Sequence, residues 1–165
     1  MYRLGVLSDT HGRLSETRLA VRIFRERGVT KIIHCGDIGG IAVIQAFRGI
    51  ETHFVFGNTD CEHDLLRLAA SEEGHFVHGW FGSLEWENKK IGFLHGHHQH
   101  QFDLELNSGH WDLMCYGHTH TPLLQMHGET LLLNPGAFSR ITVPQVAIVT
   151  IPELNVESVM IENKD

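Results

Sequence analysis

The stretch Arg3-Leu4-Gly5-Val6-Leu7-Ser8-Asp9-Thr10-His11-Gly12 decides how the rest of the chain is read. Its apolar run ends abruptly in a polar turn, which predicts a buried strand over residues 3–7 with a loop at its C-terminal end. Asp9 and His11 stand two residues apart. In an extended segment such side chains share a face, so both can reach one site.

The same arrangement recurs down the chain. Residues 31–34 read as a strand followed by Cys35-Gly36-Asp37-Ile38-Gly39-Gly40, and residues 52–56 as a strand followed by Gly57-Asn58-Thr59-Asp60. Between these strands, residues 14–27 carry Leu19, Ile23 and Phe24 among charges, an amphipathic helix stopped at Gly28. Residues 41–47 and 60–70 read as a second and a third helix. Strand–helix alternation predicts right-handed crossovers and a largely parallel sheet.

The second half reads as hairpins. Residues 84–87 and 90–94 pair about Asn88-Lys89, and 123–126 with 129–133 about His127-Gly128. A last hairpin joins 145–151 to 154–161 across Pro152, and residues 113–116 form a strand of their own. His95-Gly96-His97-His98, Gly117-His118-Thr119-His120 and Asn134-Pro135-Gly136-Ala137 each follow a strand. Six polar clusters thus sit just past strand ends, the edge at which open α/β folds bind ligands. The expected architecture is an α/β sandwich of two packed sheets with helices outside.

Composition sets the outer bounds. The chain has 165 residues, enough for one domain over 1–165 with a real core. Apolar residues make up 42% and charged residues 20%, the balance of a soluble globular protein. No run approaches the ~18 apolar residues that cross a bilayer, and residues 1–7 are too short for a signal segment. The formal charge of −7, without a Lys/Arg run, argues against stable nucleic-acid binding. Cys35, Cys61 and Cys115 fit neither a disulfide framework nor a Cys-x-x-Cys site, so a reducing cytoplasm is the expected compartment. Histidine is abundant, at 14 residues, and much of it lies in the six clusters.

The collected donors are carboxylate, imidazole and amide, with no thiolate. That set suits Mn²⁺, Fe²⁺ or Zn²⁺ better than a structural thiolate zinc site. Two such ions ~3.5–4 Å apart can clamp a phosphoryl group and activate water. There is no Gly-x-x-x-x-Gly-Lys loop, Gly-x-Ser-x-Gly elbow or dinucleotide fingerprint after the first strand.

The ordered motifs Asp9-Thr10-His11, Gly36-Asp37, Gly57-Asn58-Thr59-Asp60, His95-Gly96-His97 and Gly117-His118-Thr119-His120 resemble the calcineurin-like metallophosphoesterase superfamily. Length and spacing are similar to its small single-domain bacterial and archaeal phosphodiesterases. The resemblance implies a four-layer α/β/β/α sandwich of two mixed sheets. It implies a first metal on Asp9, His11, Asp37 and His120, and a second completed by Asn58, His95 and His118, with Asp37 bridging. It further implies two divalent ions (Mn²⁺ first, then Fe²⁺, Ni²⁺ or Zn²⁺) and in-line attack of a metal-bridging hydroxide on a small phosphodiester. Asn58 would help stabilise the charge on the phosphoryl oxygens.

One departure stands out. Many members carry histidine where this chain has Thr59, and a threonine hydroxyl is no general acid near neutral pH. His97, two residues past His95, is the stand-in; its alternative role is to hydrogen-bond a phosphate or a neighbouring carboxylate. Asp60 is expected to cap the third helix or orient a neighbour. His34 reads as packing, and His53, His63, His75, His78, His110 and His127 as surface or satisfied residues. His98 and His100 read as solvated turn residues, with lining the pocket entrance as the alternative; Arg13 reads as a helix-face residue, with contact to an anionic substrate as the alternative; the cysteines read as buried packing. The loop at Gly136 offers backbone N–H groups to phosphate. Trp80, Phe81, Trp86 and Trp111 are read as core, with an exposed Trp80-Phe81 as the alternative that would serve a subunit interface, and so leave a homo-oligomer open. The competing class is a protein-binding scaffold like the retromer subunit of the same fold; the complete set of ligand-type side chains favours the enzyme.

Overall fold

The computed structural model describes residues 1–162. Its first sheet holds β1 (Tyr2–Leu7), β2 (Lys31–His34), β3 (Glu51–Phe54), β4 (Phe76–Val77), β10 (Gln145–Ile151) and β11 (Asn155–Met160) in the order β11-β10-β1-β2-β3-β4. Its second holds β5 (Phe81–Trp86), β6 (Lys89–Leu94), β7 (Leu113–Cys115), β8 (Leu123–His127) and β9 (Thr130–Asn134) in the order β5-β6-β7-β9-β8. Both sheets are mixed. β1 to β4 run parallel and β10 antiparallel to β1; β6, β7 and β9 run parallel between antiparallel edges. Parallel strands share one C-terminal edge, so the loops after β1, β2 and β3 emerge together, as do those after β6 and β7.

Side-chain alternation builds four layers. Leu7, Ile32, Phe54, Val146 and Ile148 face α1 (Leu14–Glu26), α2 (Ile41–Ala46) and α3 (His63–Glu72), meeting Phe24, Ile44, Phe47 and Ala70. The alternate residues Leu4, Val6, Ile33, Ala147 and Val149 face Ile91, Phe93, Leu113 and Leu133 of the other sheet. Beyond that sheet, Leu94, Met114 and Leu132 meet Phe102 and Leu106 of α4 (Gln99–Asn107). A continuous apolar β1 is therefore buried on both faces, as a central parallel strand requires. Gly5 lets Phe24 lie flat on β1, since a Cβ there would stand 2.9 Å from the ring. This is the expected four-layer sandwich.

Several local expectations are corrected. α3 starts at His63, not at residue 60, because the Asp60 carboxylate turns inward and accepts N–H bonds from Ile38, Gly39 and Gly57. The first hairpin turns at Glu87-Asn88, both left-handed (φ 51° and 60°), one residue earlier than read. The second turns at Gly128-Glu129, one residue later. The two-residue β4 was not anticipated, nor was α4, which has no fully buried residue and so weak apolar periodicity. His98 is exposed in the bend just before that helix, as a solvated turn residue would be, whereas His100 lies exposed in the helix's first turn. Cys35 and Cys115 are buried, but Cys61 is exposed. Trp86 and Trp111 are half-buried rather than core, and Trp80 is exposed. His75 is buried with neither ring nitrogen partnered, against the expectation of a satisfied residue.

His34 illustrates how packing fixes protonation. It is fully buried between Phe47 and Phe54. Gly36 N–H donates to its Nδ1 (3.2 Å), its Nε2 meets Thr10 Oγ1 (2.8 Å), and Thr10 Oγ1 donates to the Ile38 carbonyl (2.9 Å). This chain needs Nδ1 bare. Burial, then the nearby His95, push His34 down to about 3, and burial also lowers His53, His75 and, to about 4, His78. Such groups bind more protons unfolded than folded, so their stabilisation is complete above their unfolded value and lost as pH falls below it. His34 alone should cost roughly 2 kcal/mol between pH 6.5 and 5, at ~1.4 kcal/mol per pH unit. Urea unfolding at the two pH values checks this; His34→Gln should flatten the dependence, and an unchanged slope would place the acid-sensitive group elsewhere.

Candidate metal centre

Asp9 and Asp37 enter the edge between the two sheets with 0% and 2% of their surfaces exposed. Each carboxylate takes its main-chain N–H bond on one oxygen and turns the other toward imidazoles. Asp9 Oδ2 accepts the Ser8 hydroxyl (2.7 Å) and the His118 N–H (3.0 Å); Asp37 Oδ1 accepts the Thr59 N–H (3.0 Å). The opposite oxygens face imidazoles. Asp9 Oδ1 lies 3.0 Å from His120 Nε2, 3.5 Å from His11 Nε2 and 4.0 Å from His95 Nε2. Asp37 Oδ2 lies 3.2 Å from His95 Nε2 and 3.5 Å from His11 Nε2.

Two histidines are fixed in tautomer by carbonyls, which only accept. His95 Nδ1 donates to Cys35 O (2.7 Å) and His120 Nδ1 to Ser139 O (3.1 Å). In the neutral ring this leaves each Nε2 as a lone pair aimed at the carboxylates, the usual way a backbone carbonyl orients a metal-ligating histidine. His95 Nε2 also meets Asn58 Oδ1 at 3.1 Å. A nitrogen lone pair ringed by oxygen lone pairs calls for a cation or a proton at its centre. His95 shows the same demand: burial opposes its protonation, yet the bond to Asp37 and the charges of Asp9 and Asp37 raise it above its ordinary value. At Asp37 burial pushes upward, but the bonds from His95 and Thr59 hold the carboxyl well below the usual range.

The donor atoms gather into two groups within 4.8 Å, Asp9–His11–His120 and Asp9–Asp37–His95. Asp9 Oδ1 and His11 Nε2 are buried and lack a hydrogen-bond partner; the 3.0 Å approach of His120 to Asp9 is not aligned as a hydrogen bond. These orphaned atoms and this oxygen-and-nitrogen donor set fit divalent transition ions. Asn58 adjoins the second group through His95. His118 supplies its backbone N–H to Asp9; its exposed ring lies 5.1 Å from that of His95 and joins neither group of donor atoms. His97 sits 5.4 Å from His95 and 6.1 Å from His118, with its Nδ1 buried and unpartnered. Burial, then the His98, His95 and His118 rings, push it down to about 4.

The loops hold unusual backbone. Of nine non-glycine residues with positive φ among the described residues, five are Asp9, His11, Asp37, His118 and His120. Such conformations cost of order 1 kcal/mol each and persist where surroundings over-determine them. The braces are partly side chains of the same polar clusters that are not assigned as ligands. Asp60 ties the β2 loop to the β3 loop through three N–H bonds. Asn134 donates to Gly117 O and Thr119 Oγ1 while accepting from Gly136 N–H, so that N–H is not free for phosphate as expected. Arg13 pairs with Glu16 on α1, away from any anion role. Close packing completes the frame: a Cβ on Gly57 would overlap the Asp37 carboxylate, and one on Gly117 would overlap Ser8 Oγ and stand 2.6 Å from Asp9 Oδ2.

Comparison with known proteins identifies the family and the fold. The family model described as calcineurin-like phosphoesterase superfamily domain matches residues 2–154. Phosphodiesterase MJ0936 of Methanocaldococcus jannaschii is 34% identical over 138 residues, 81% of this chain and 82% of that protein. A solved structure described as a novel archaeal phosphodiesterase superposes with a TM-score of 0.89 at 29% identity, covering 96% of this chain and 99% of that one. Vps29 of Entamoeba histolytica, solved with zinc, shares the fold at a TM-score of 0.64 and 18% identity, covering 97% and 99%.

Two measurements follow from the cluster. Mn²⁺ at a hundredfold excess over its dissociation constant should stabilise the protein by about 2.7 kcal/mol in urea unfolding. Gly57→Ala should weaken Mn²⁺ binding about tenfold or more by calorimetry, because it displaces Asp37. Undiminished affinity in a folded Gly57→Ala protein would remove Asp37 from the ion's surroundings.

Proposed function

The chain belongs to the calcineurin-like phosphoesterase superfamily, and on that premise we propose that it hydrolyses small phosphodiesters with two divalent ions. The observation that carries this reading is the pair of buried carboxylates, each anchored to the main chain by one oxygen and turned by the other toward imidazole nitrogens. Its relatives named as phosphodiesterase and metallophosphoesterase support a phosphoric ester hydrolase. We assign Asp9, His11, Asp37 and His120 to one ion, and Asp37, Asn58, His95 and His118 to the other. Manganese is the expected ion, with iron, nickel and zinc compatible with the same donors. Bound divalent ions supply Lewis acidity toward the phosphoryl oxygens and toward water.

The remaining work belongs to the chain. Asn58 is exposed beside His95, where its amide nitrogen is free to donate to a phosphoryl oxygen as charge develops there. Thr59 spends its backbone N–H on Asp37 and has no ring to offer the departing oxygen. His97 is the nearest uncommitted imidazole, and its orphaned Nδ1 is the atom we assign to that oxygen. A phosphoester's negative charge beside His97 would favour its protonated form, countering the burial that keeps it neutral in the free protein. The fully retained donor set favours catalysis over a scaffold role, since likeness to Vps29 concerns the fold. With three free cysteines, the cytoplasm is the proposed compartment.

The central test strips the protein with chelator, restores Mn²⁺, and assays bis(p-nitrophenyl) phosphate beside p-nitrophenyl phosphate. Metal-restored turnover favouring the diester is expected, and Asp37→Asn should lower kcat/KM by more than about a hundredfold. Near-wild-type turnover of Asp37→Asn with two ions bound would overturn the bridging assignment. His97→Ala should slow esters of poor leaving groups by about 10²-fold and activated aryl esters much less. An equal loss across a leaving-group series would reject His97 as the acid.

A further inference from the structure

Trp80 stands one imidazole away from the candidate centre. Its ring lies 5.5 Å from His97, edge to face, and His97 lies 5.4 Å from His95 and 6.1 Å from His118. The indole is held on several sides. His98 stacks on it at 5.5 Å and 25°, while His63 (5.2 Å) and Phe56 (5.9 Å) meet it edge to face. His63 is itself stacked on the buried Phe56 at 4.1 Å. Phe56 N–H donates to Gly79 O (2.7 Å), which fixes the backbone next to Trp80. A tryptophan so braced would be expected to close over its neighbours, yet 41% of it remains exposed. None of the donors assigned to the ions uses it, and the hydrolytic reading gives it no part.

A rigid, exposed indole offers a large apolar face at little entropic cost, and planar rings bind such faces by stacking. We propose that Trp80, supported by His98, is a specificity-determining platform that stacks a planar aromatic substituent of the phosphoester, a nucleobase or an aryl ring. The inference rests on the reading of the adjacent cluster as a phosphoester site and names the class of ester it takes. A phosphoryl group at the donor cluster would carry its substituent out past His97 onto the indole. Esters with only sugar or alkyl substituents lack a face to stack and would gain nothing from Trp80.

The test is calorimetry on the Mn²⁺-reconstituted full chain with four probes: adenosine 5′-monophosphate, phenyl phosphate, ribose 5-phosphate and inorganic phosphate. At least one aromatic probe should bind about tenfold tighter than ribose 5-phosphate. Dependence confined to adenosine monophosphate identifies a base, and dependence confined to phenyl phosphate an aryl ring. Trp80→Ala should bring the aromatic probes down to the level of ribose 5-phosphate, leave ribose 5-phosphate and inorganic phosphate unchanged, and be largely rescued in Trp80→Phe. Equal affinity for aromatic and non-aromatic probes in the wild type overturns the proposal, as does an equal loss for all four in Trp80→Ala. So does loss of self-association with unchanged probe affinity, which would make the indole a contact between copies. Turnover of bis(p-nitrophenyl) phosphate by the same preparations judges the hydrolytic reading separately: absence of turnover with intact aromatic selectivity defeats that reading alone.

Discussion

Two carboxylates buried at one edge of a β-sandwich are the constraint on which the structure depends. Asp9 and Asp37 bring like charges into a setting with almost no water. Such a pair is costly unless each charge is solvated by the protein and then neutralised. The solvation comes from main-chain N–H groups of other loops and from the hydroxyl of the neighbouring Ser8. The neutralisation is left to the imidazoles and to whatever cation they hold. Loop conformation, glycine placement and histidine tautomer all answer to that requirement.

Its cost falls on the backbone. Five of the residues that present donors are in left-handed conformations, and they hold where Asp60 and Asn134 stitch neighbouring loops together. Glycines 57 and 117 let the carboxylates rest directly against a passing chain. The sandwich beneath is ordinary by comparison, with apolar alternation carrying three separate cores. Regularity in the layers is what allows irregularity at their edge.

Much of this was legible in the residues. Strands ending in Asp-x-His, Gly-Asp, Gly-Asn-x-Asp and His-x-His gave the edge before any coordinates, because period-two spacing and a polar break are local signals. Parallel order then brings the distant segments together. The less visible parts were those set by tertiary contacts. Asp60 reads as a helix cap or a residue that orients a neighbour, and nothing local reveals that two N–H groups of the β2 loop join Gly57 of its own loop in claiming it. α4 was missed because its contact with the second sheet uses only a few half-buried residues such as Phe102 and Leu106. His118 is grouped with the second set of donors by motif, and no local signal shows that its main-chain N–H also anchors Asp9. Trp80 carries a sequence signal for core packing or a subunit contact but none for a place beside the donors, since His63 and the His97-His98 pair come from segments distant in sequence.

The division of donors between the sheets has a further consequence. Asp9, His11, Asp37 and Asn58 leave one sheet, while His95, His97, His118 and His120 leave the other. The centre is therefore a seam, and its spacing is a gauge of how tightly the two halves of the sandwich are closed. A substitution that wedges the layers apart at Leu4 or Ile151 acts on the same coordinate as one beside Asp37. In a mutational map of such a protein, damage to chemistry would spread along the buried plane between the sheets instead of forming a ring around the active centre.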